Sequence, residues 1–264
     1  MMNQNLAAQY TIEDLRYLMR RLRDPETGCP WDLKQTFASI LPHTLEEAYE
    51  VADAIEKQDY AHLKEELGDL LLHVVFQAVL AEEKDEFSIN NVIVSINKKL
   101  IKRHPHVFDK DLLSKDVKSI KKNWELNKKN EKNRNSILDG IPKSLPSLMA
   151  SERLQDKAAS IGFEWENYQD VINKIYEELK ELKLGIKDNN QKNIEEELGD
   201  ILIGVVNLSR FLNVSAEVAM QKANKKFYKR FTTMEKFITK DKKEIDKLSL
   251  SELDTYWEKV KDEE

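Results

Sequence analysis

Four acids recur as a set in this chain. Glu47 and Glu50 are followed by Glu66 and Asp69; Glu178 and Glu181 are followed by Glu197 and Asp200, each standing 131 positions after its counterpart (178 against 47, 197 against 66). Acids three apart share one face of a helix, so two adjacent antiparallel helices carrying such pairs aim four carboxylates into one cleft. Converging negative charges beside apolar side chains are costly unless compensated. An all-oxygen donor set suits a hard cation, Mg2+ or Mn2+, better than Zn2+. Mg2+ keeps waters and takes phosphate oxygens readily, so the chemistry expected is attack of water on a phosphoric anhydride. One pair alone means little: with 48 acids in 264 residues, about nine such pairs arise from composition. The information lies in recurrence at fixed separation, and the competing account is that the acids solvate amphipathic helices.

The elements that must position these acids read as helices. Thr44 and Glu47 have the form of a capping box that would open a helix to about Lys57. Asp59 can cap the next, with Leu63, Leu67, Leu70, Leu71, Val74 and Ala78 at the spacing of a buried stripe. Ser88 can start a third, carrying Val92, Ile96 and Leu100 to a stop at His104 and Pro105. In the second half, Asn167 can cap a helix through Leu184, with Gly185 and residues 188–190 supplying a turn. A long helix follows with Ile194, Leu198, Ile201, Leu202, Val205 and Leu208 on one stripe, and Ser215 starts another. The segment NKKLIKRH (97–104) answers NKKFYKRF (224–231) at an offset of 127, matching Lys99, Lys102 and Arg103 to Lys226, Lys229 and Arg230. An internal duplication accounts for both registers. The fold expected is all-α, two tandem helical bundles: residues 1–112, a Lys/Asn-rich connection at 113–145, and a second domain at 146–264 expected to be the catalytic one.

Bulk numbers agree. Hydrophobic residues at 41% permit cores, and only 7 Gly and 6 Pro argue for long helices over many short strands. A net charge of -6 argues against nucleic acid as the main ligand, so a phosphate site must be local. Cys29 is the only cysteine, which excludes an intrachain disulfide, and it has no His or second Cys nearby in sequence for nucleophilic work. No signal-peptide pattern opens the chain, and the longest apolar run, LLLHVVFQAVLA, falls short of the ~18 residues that cross a bilayer. The expectation is a cytoplasmic protein with no membrane partner. His73 reads as a satisfied core histidine, and His104 and His106 as shaping a turn.

The motifs GCPWDLKQT (28–36), TLEEAYE (44–50), EELGDLLLHVVF (65–76), RHPHVF (103–108), LDGIP (138–142), RLQDKAASIGFEW (153–165), EEELGD (195–200) and ANKKFYKRF (223–231) together resemble the MazG nucleoside triphosphate pyrophosphohydrolases, in their two-domain bacterial form. That resemblance implies hydrolysis of ribo- and deoxynucleoside triphosphates between the α- and β-phosphates, giving monophosphate and pyrophosphate. It also implies Mg2+ dependence, a homodimer, and by analogy a role in nucleotide-pool cleaning or stress. Carried onto the second domain, it makes Glu178, Glu181, Glu197 and Asp200 the metal-binding acids, with Glu178 or Glu181 accepting the proton of the attacking water. Lys174, Asn193 and Glu196 fall near the nucleotide, Lys226 and Arg230 on the phosphates, and Trp257 where an aromatic can stack on a base. Asn193 departs from the lysine expected there. Glu47, Glu50, Glu66 and Asp69 keep a second metal site intact in the first domain, whose turnover the residues do not reveal.

Three other classes compete. A carboxylate-bridged di-iron bundle would need Glu-x-x-His pairs, which do not accompany the tetrads. A non-catalytic helical scaffold that binds metal, nucleotide or a partner predicts no catalytic response to Mg2+. Nucleic-acid binding would rest on residues 115–132, where seven lysines fall in eighteen positions, against the net charge.

Overall fold

The computed structural model describes residues 10–108 and 135–263, which contain helices and no strand. Compact units lie within Met1–Leu113 and Ser114–Glu264. The lysine-rich segment 115–132 and Trp124 lie outside the described residues.

The first unit runs α1 (Ile12–Leu22), a short α2 (Pro30–Leu33), α3 (Phe37–Lys57), α4 (Tyr60–Glu82), α5 (Ile89–Arg103) and a short α6 (Pro105–Phe108). Caps set most of these boundaries. Asp59 accepts from the Ala61 and His62 amides, and Ser88 and Asn91 form a reciprocal capping box before α5. The expected start of α3 needs correction. The helix begins at Phe37, capped reciprocally by Thr36 and Ser39, and runs through Pro42. Thr44 is therefore interior: its hydroxyl donates to the Ile40 carbonyl at 3.1 Å and accepts from Gln77 Nε2 at 3.0 Å, tying α3 to α4.

A two-residue turn, with Gln58 in the left-handed region (φ 55°), folds α4 back along α3. The core gathers at the far end of that hairpin, where Val75, Phe76, Val79 and Leu80 of α4 meet Met19, Ile40 and Ile89. Arg23, at the end of α1, is clamped there. Its guanidinium grips Glu83 at 2.6 and 2.7 Å, donates to the Asp32 and Gln35 carbonyls and lies over the Phe76 ring. The apolar stripe read along α4 is buried only in part: Ala78 is interior, whereas Leu67, Leu71 and Val74 are exposed.

The second unit runs α7 (Ser147–Ala159), α8 (Tyr168–Lys187), α9 (Gln191–Phe211), α10 (Ala216–Lys240), a 3-10 turn (Ile245–Lys247) and α11 (Leu250–Asp262). Asn167 and Asn190 cap α8 and α9. Gly185, expected in a turn, is buried inside α8 instead. Ser215 precedes α10 without a side-chain cap; its hydroxyl donates to Glu152 at 3.4 Å. Arg210 of α9 holds Asp156 of α7 and Glu164 at 3.0 and 2.8 Å. Met234, Ile238 and Val260 anchor a core between α10 and α11. On α9, Leu198, Leu202 and Val205 are exposed, matching Leu67, Leu71 and Val74 position for position.

The duplication extends to element boundaries. Helices α4 and α9 start 131 apart (191 against 60), and α5 and α10 start 127 apart (216 against 89). The four-residue difference between registers comes from an α9 two residues shorter than α4 (21 against 23) and a following connection shortened by two.

Candidate metal and nucleotide site

Each hairpin carries its acids where the two helices face. In the second unit, one donor oxygen from each of Glu178, Glu197 and Asp200 lies within 4.8 Å of the others; Glu47, Glu66 and Asp69 do the same in the first. Three of each predicted four therefore converge. The fourth members, Glu50 and Glu181, are exposed beside them and act on the cluster electrostatically.

Glu178 and Glu197 are buried, and Asp200 is exposed at the mouth. Their surroundings push the two buried carboxyls apart. Lys174, one turn before Glu178 on α8, sits 2.7 Å from Glu178 Oε1 and 2.7 Å from Glu177 Oε1. That ammonium holds the Glu178 carboxyl below the usual glutamate range, and the ammonium in turn holds its proton more tightly. Burial first, and the neighbouring Glu178 second, push the Glu197 carboxyl up. Of the two buried carboxyls, Glu197 is therefore the one that holds a proton more tightly.

Asn193 lies one turn before Glu197 on α9, and its Nδ2 donates to Glu197 Oε1 at 2.8 Å. The other oxygen, Oε2, is buried with no hydrogen-bond partner among the described residues. A buried carboxylate oxygen left bare is expensive, and a cation at the cluster would satisfy it. The donors are all oxygens, which fits Mg2+ or Mn2+.

The first unit has a different setting. Burial and then Glu50 raise both Glu47 and Glu66. His62 Nε2 lies 2.9 Å from Glu66 Oε1, and His73 Nε2 lies 3.6 Å from Glu47 Oε1. The expectation of a satisfied core histidine fails at His73, whose buried Nδ1 has no hydrogen-bond partner. Burial, then the His43 ring stacked 6.3 Å away, push its pKa down.

The remaining predicted residues are dispersed. Asn193 faces Glu197, while Glu196 is exposed on α9. Lys226 is exposed and Arg230 half-buried, one turn apart on α10, which packs against α9. The Trp257 ring packs at 5.4 Å on Phe227 and against the α10–α11 core. A cleft of about 390 Å3 opens beside Lys174, lined also by Trp165, Asp170, Asn173 and Glu177. Trp165 and Asn173 were not singled out from sequence as site residues; the one available signal was the aromatic ending of GFEW, at Trp165.

Comparison with known proteins gives the same pattern of two copies. The MazG nucleotide pyrophosphohydrolase domain matches residues 35–108 and again 166–243. The chain is 43% identical over 258 residues to the nucleoside triphosphate pyrophosphohydrolase of Escherichia coli K12, covering 96% of this chain and 98% of that one. It is 45% identical over 253 residues to the nucleoside triphosphate pyrophosphohydrolase/pyrophosphatase MazG of Thermotoga maritima, covering 95% of each. It is also 41% identical to the uncharacterized protein YabN of Bacillus subtilis, where it spans 52% of a longer protein.

Proposed function

Because the chain belongs to the MazG nucleotide pyrophosphohydrolase family, we propose that its second cluster hydrolyses ribo- and deoxynucleoside triphosphates at the α–β anhydride with Mg2+, or Mn2+, held by Glu178, Glu197 and Asp200. That the chain is a nucleoside triphosphate pyrophosphohydrolase follows from the family itself. The observations that carry the proposal are the convergence of those three acids and the burial of Glu197 Oε2 without a hydrogen-bond partner.

A bound Mg2+ supplies charge neutralisation at the phosphates and lowers the pKa of the attacking water. The chain's own groups do the rest. Asn193 fixes the Glu197 carboxyl through Oε1 and leaves Oε2 without a hydrogen-bond partner. Glu178 is committed to Lys174 and to the cluster, which leaves the exposed Glu181 to take the proton from water. Lys174 borders the cleft that would receive the nucleotide, and Trp165 offers it a half-exposed aromatic face. Lys226 and Arg230 offset charge on the leaving pyrophosphate, while Trp257, packed on Phe227, braces the α10–α11 core.

We extend the proposal to a homodimer. Leu67, Leu71 and Val74 on α4 and Leu198, Leu202 and Val205 on α9 form stripes of exposed apolar side chains, which a second copy would cover.

Phosphorus NMR of the purified chain with a mixed nucleotide panel and Mg2+ tests the reaction. Monophosphate plus pyrophosphate is expected, and Glu197→Gln should abolish it while circular dichroism stays unchanged. Diphosphate plus orthophosphate, or an active Glu197→Gln, refutes the proposal.

A further inference from the structure

Residues 222–229 of α10, KANKKFYK, are all exposed. At 3.6 residues per turn that run exceeds two turns, so every face of the helix is bare there, Phe227 and Tyr228 included. The matching stretch of α5, 94–102, is exposed throughout as well, and carries Val94, Ile96, Leu100 and Ile101. Large apolar side chains on a bare helix mark a surface that another chain covers.

The bare stretch of α10 holds Lys226, and the bend before it sets that lysine apart from the acids of its own chain. Helix α10 leaves the end of α9 at 104°. Glu197 and Asp200 stand 14 and 11 residues before Phe211 (211 − 197 and 211 − 200), about 16–21 Å along α9. Lys226 stands ten residues after Ala216 (226 − 216), about 15 Å along α10. Two such legs meeting at 76° (180 − 104) end about 20 Å apart. The cleft beside the cluster agrees: its lining comes from residues 164–166 and from α8, with none from α10. Lys174, the one cation among those lining residues, is spent on Glu177 and Glu178. A triphosphate seated there lacks a partner for most of its charge.

An independent feature marks the same side of α9 as a contact face. Gly199 precedes the exposed Asp200, as Gly68 precedes Asp69, and a Cβ on either would meet no atom within 4 Å. Glycine weakens a helix interior, and nothing inside one chain asks for it at these positions. Close approach of another backbone does.

We propose that Lys226 serves the cluster of a second copy of this chain: α10 of one protomer lies over the mouth of the other's second hairpin and brings its lysine to the triphosphate held by Glu178, Glu197 and Asp200. Charge favours the pairing, since Lys222, Lys225, Lys226 and Lys229 fall in the bare stretch and meet an acidic cluster. The inference rests on the reading of that cluster as the metal and nucleotide site. Two-fold symmetry then gives two sites per dimer, each built from both chains.

Mixing two crippled variants tests it. Glu197→Gln breaks the acid cluster, and Lys226→Ala should lower turnover about 100-fold, the usual cost of one charge-stabilising group. After equal amounts have exchanged subunits, half the dimers hold one chain of each kind. In such a dimer one site carries both defects and the other carries neither, so turnover should recover to about one quarter of wild type. Recovery no greater than the mean of the two parents overturns the proposal, and so does native turnover in Lys226→Ala alone. A second readout needs no turnover. On a Cys29→Ser background, Lys226→Cys chains mixed with Asp200→Cys chains should be joined into dimers by a short bismaleimide, beyond what either gives alone. A chain carrying both changes that closes on itself instead overturns the proposal. A wild type that releases no pyrophosphate refutes the function reading, while the cross-link still decides which chain supplies the lysine.

Discussion

Gly185→Ala separates the stability of the second hairpin from its metal chemistry. Gly185 sits buried in α8, and a Cβ on it would stand 2.5 Å from Asn193 Oδ1. In the first hairpin the matching position is Ala54, fully buried. Alanine is favoured over glycine in a helix interior by about 1 kcal/mol. The clash meets the tip of a side chain and not backbone, so the Asn193 amide can yield. When it does, it gives up the 2.8 Å bond to Glu197 Oε1. The two effects therefore separate by observable. The melting temperature should move by only a few degrees, since 1 kcal/mol shifts a domain of this size by about 2–8 °C. Metal affinity at the second cluster should fall about 10- to 100-fold, the usual cost of losing a group that orients a ligand. Calorimetric titration with Mn2+ on a Glu66→Gln background isolates that cluster, with thermal melts run in parallel. Native affinity in Gly185→Ala would refute the positioning role of Asn193. A collapse of the melt would refute the claim that the amide yields.

Metal affinity should also depend on pH with a defined sign. The Glu197 carboxyl is raised above its ordinary value of 4.5, so its contribution to the stability of the metal-free chain is complete below that value and is lost as pH rises through the raised one. Mg2+ affinity runs the opposite way, climbing through the same window because the ion displaces the proton. Titration calorimetry in buffers of different ionisation heat should show proton release that fades as pH rises; affinity that stays flat as pH climbs above the ordinary 4.5 would contradict the assignment. Metal should stabilise the chain as well, by about 2.7 kcal/mol at one hundred times the dissociation constant, and a melt that ignores chelator would deny any site. Away from the clusters, Arg23→Ala should cost about 2 kcal/mol in urea denaturation, because it removes a side chain only 7% exposed and leaves the Asp32 and Gln35 carbonyls without its donors, while the more exposed Glu83 falls back on water. A cost below about 1 kcal/mol would show the clamp to be ornamental.

Local chemistry was the legible part of the fold. Asp59, Ser88, Asn167 and the end of α3 at Lys57 could be read because a cap or stop is decided within a few residues. The start of α3 was misread because Thr44 and Glu47 imitate a capping box, while the one formed uses Ser39 as its third helical residue. The stripes on α4 and α9 have the period of a buried face, yet Leu67, Leu71, Leu198 and Leu202 are exposed in a single chain. Periodicity reports which residues share a face and is silent on what covers it. At the site, recurrence at 131 exposed the acids. That three converge tightly while Glu50 and Glu181 lie exposed beside them depends on rotamers, which spacing does not specify.

The partners of the acids were less visible because they are not conspicuous by type. Asn193 and Lys174 each lie one turn before the acid they hold, and their first-copy counterparts, His62 and His43, are different residues. A search for identity between copies passes over such positions, whereas a search for difference at fixed offset finds them. Duplication gives each carboxylate the same place on the same hairpin. What it leaves free to diverge is the side chain one turn away, and that side chain decides how much negative charge the acids carry before an ion arrives. In the second unit a lysine holds the Glu178 carboxyl below the usual glutamate range. In the first no lysine intervenes, and both Glu47 and Glu66 hold their protons more tightly. The same four acids therefore present two different surfaces to a cation, and specificity can change in one copy without loss of the ligands in either.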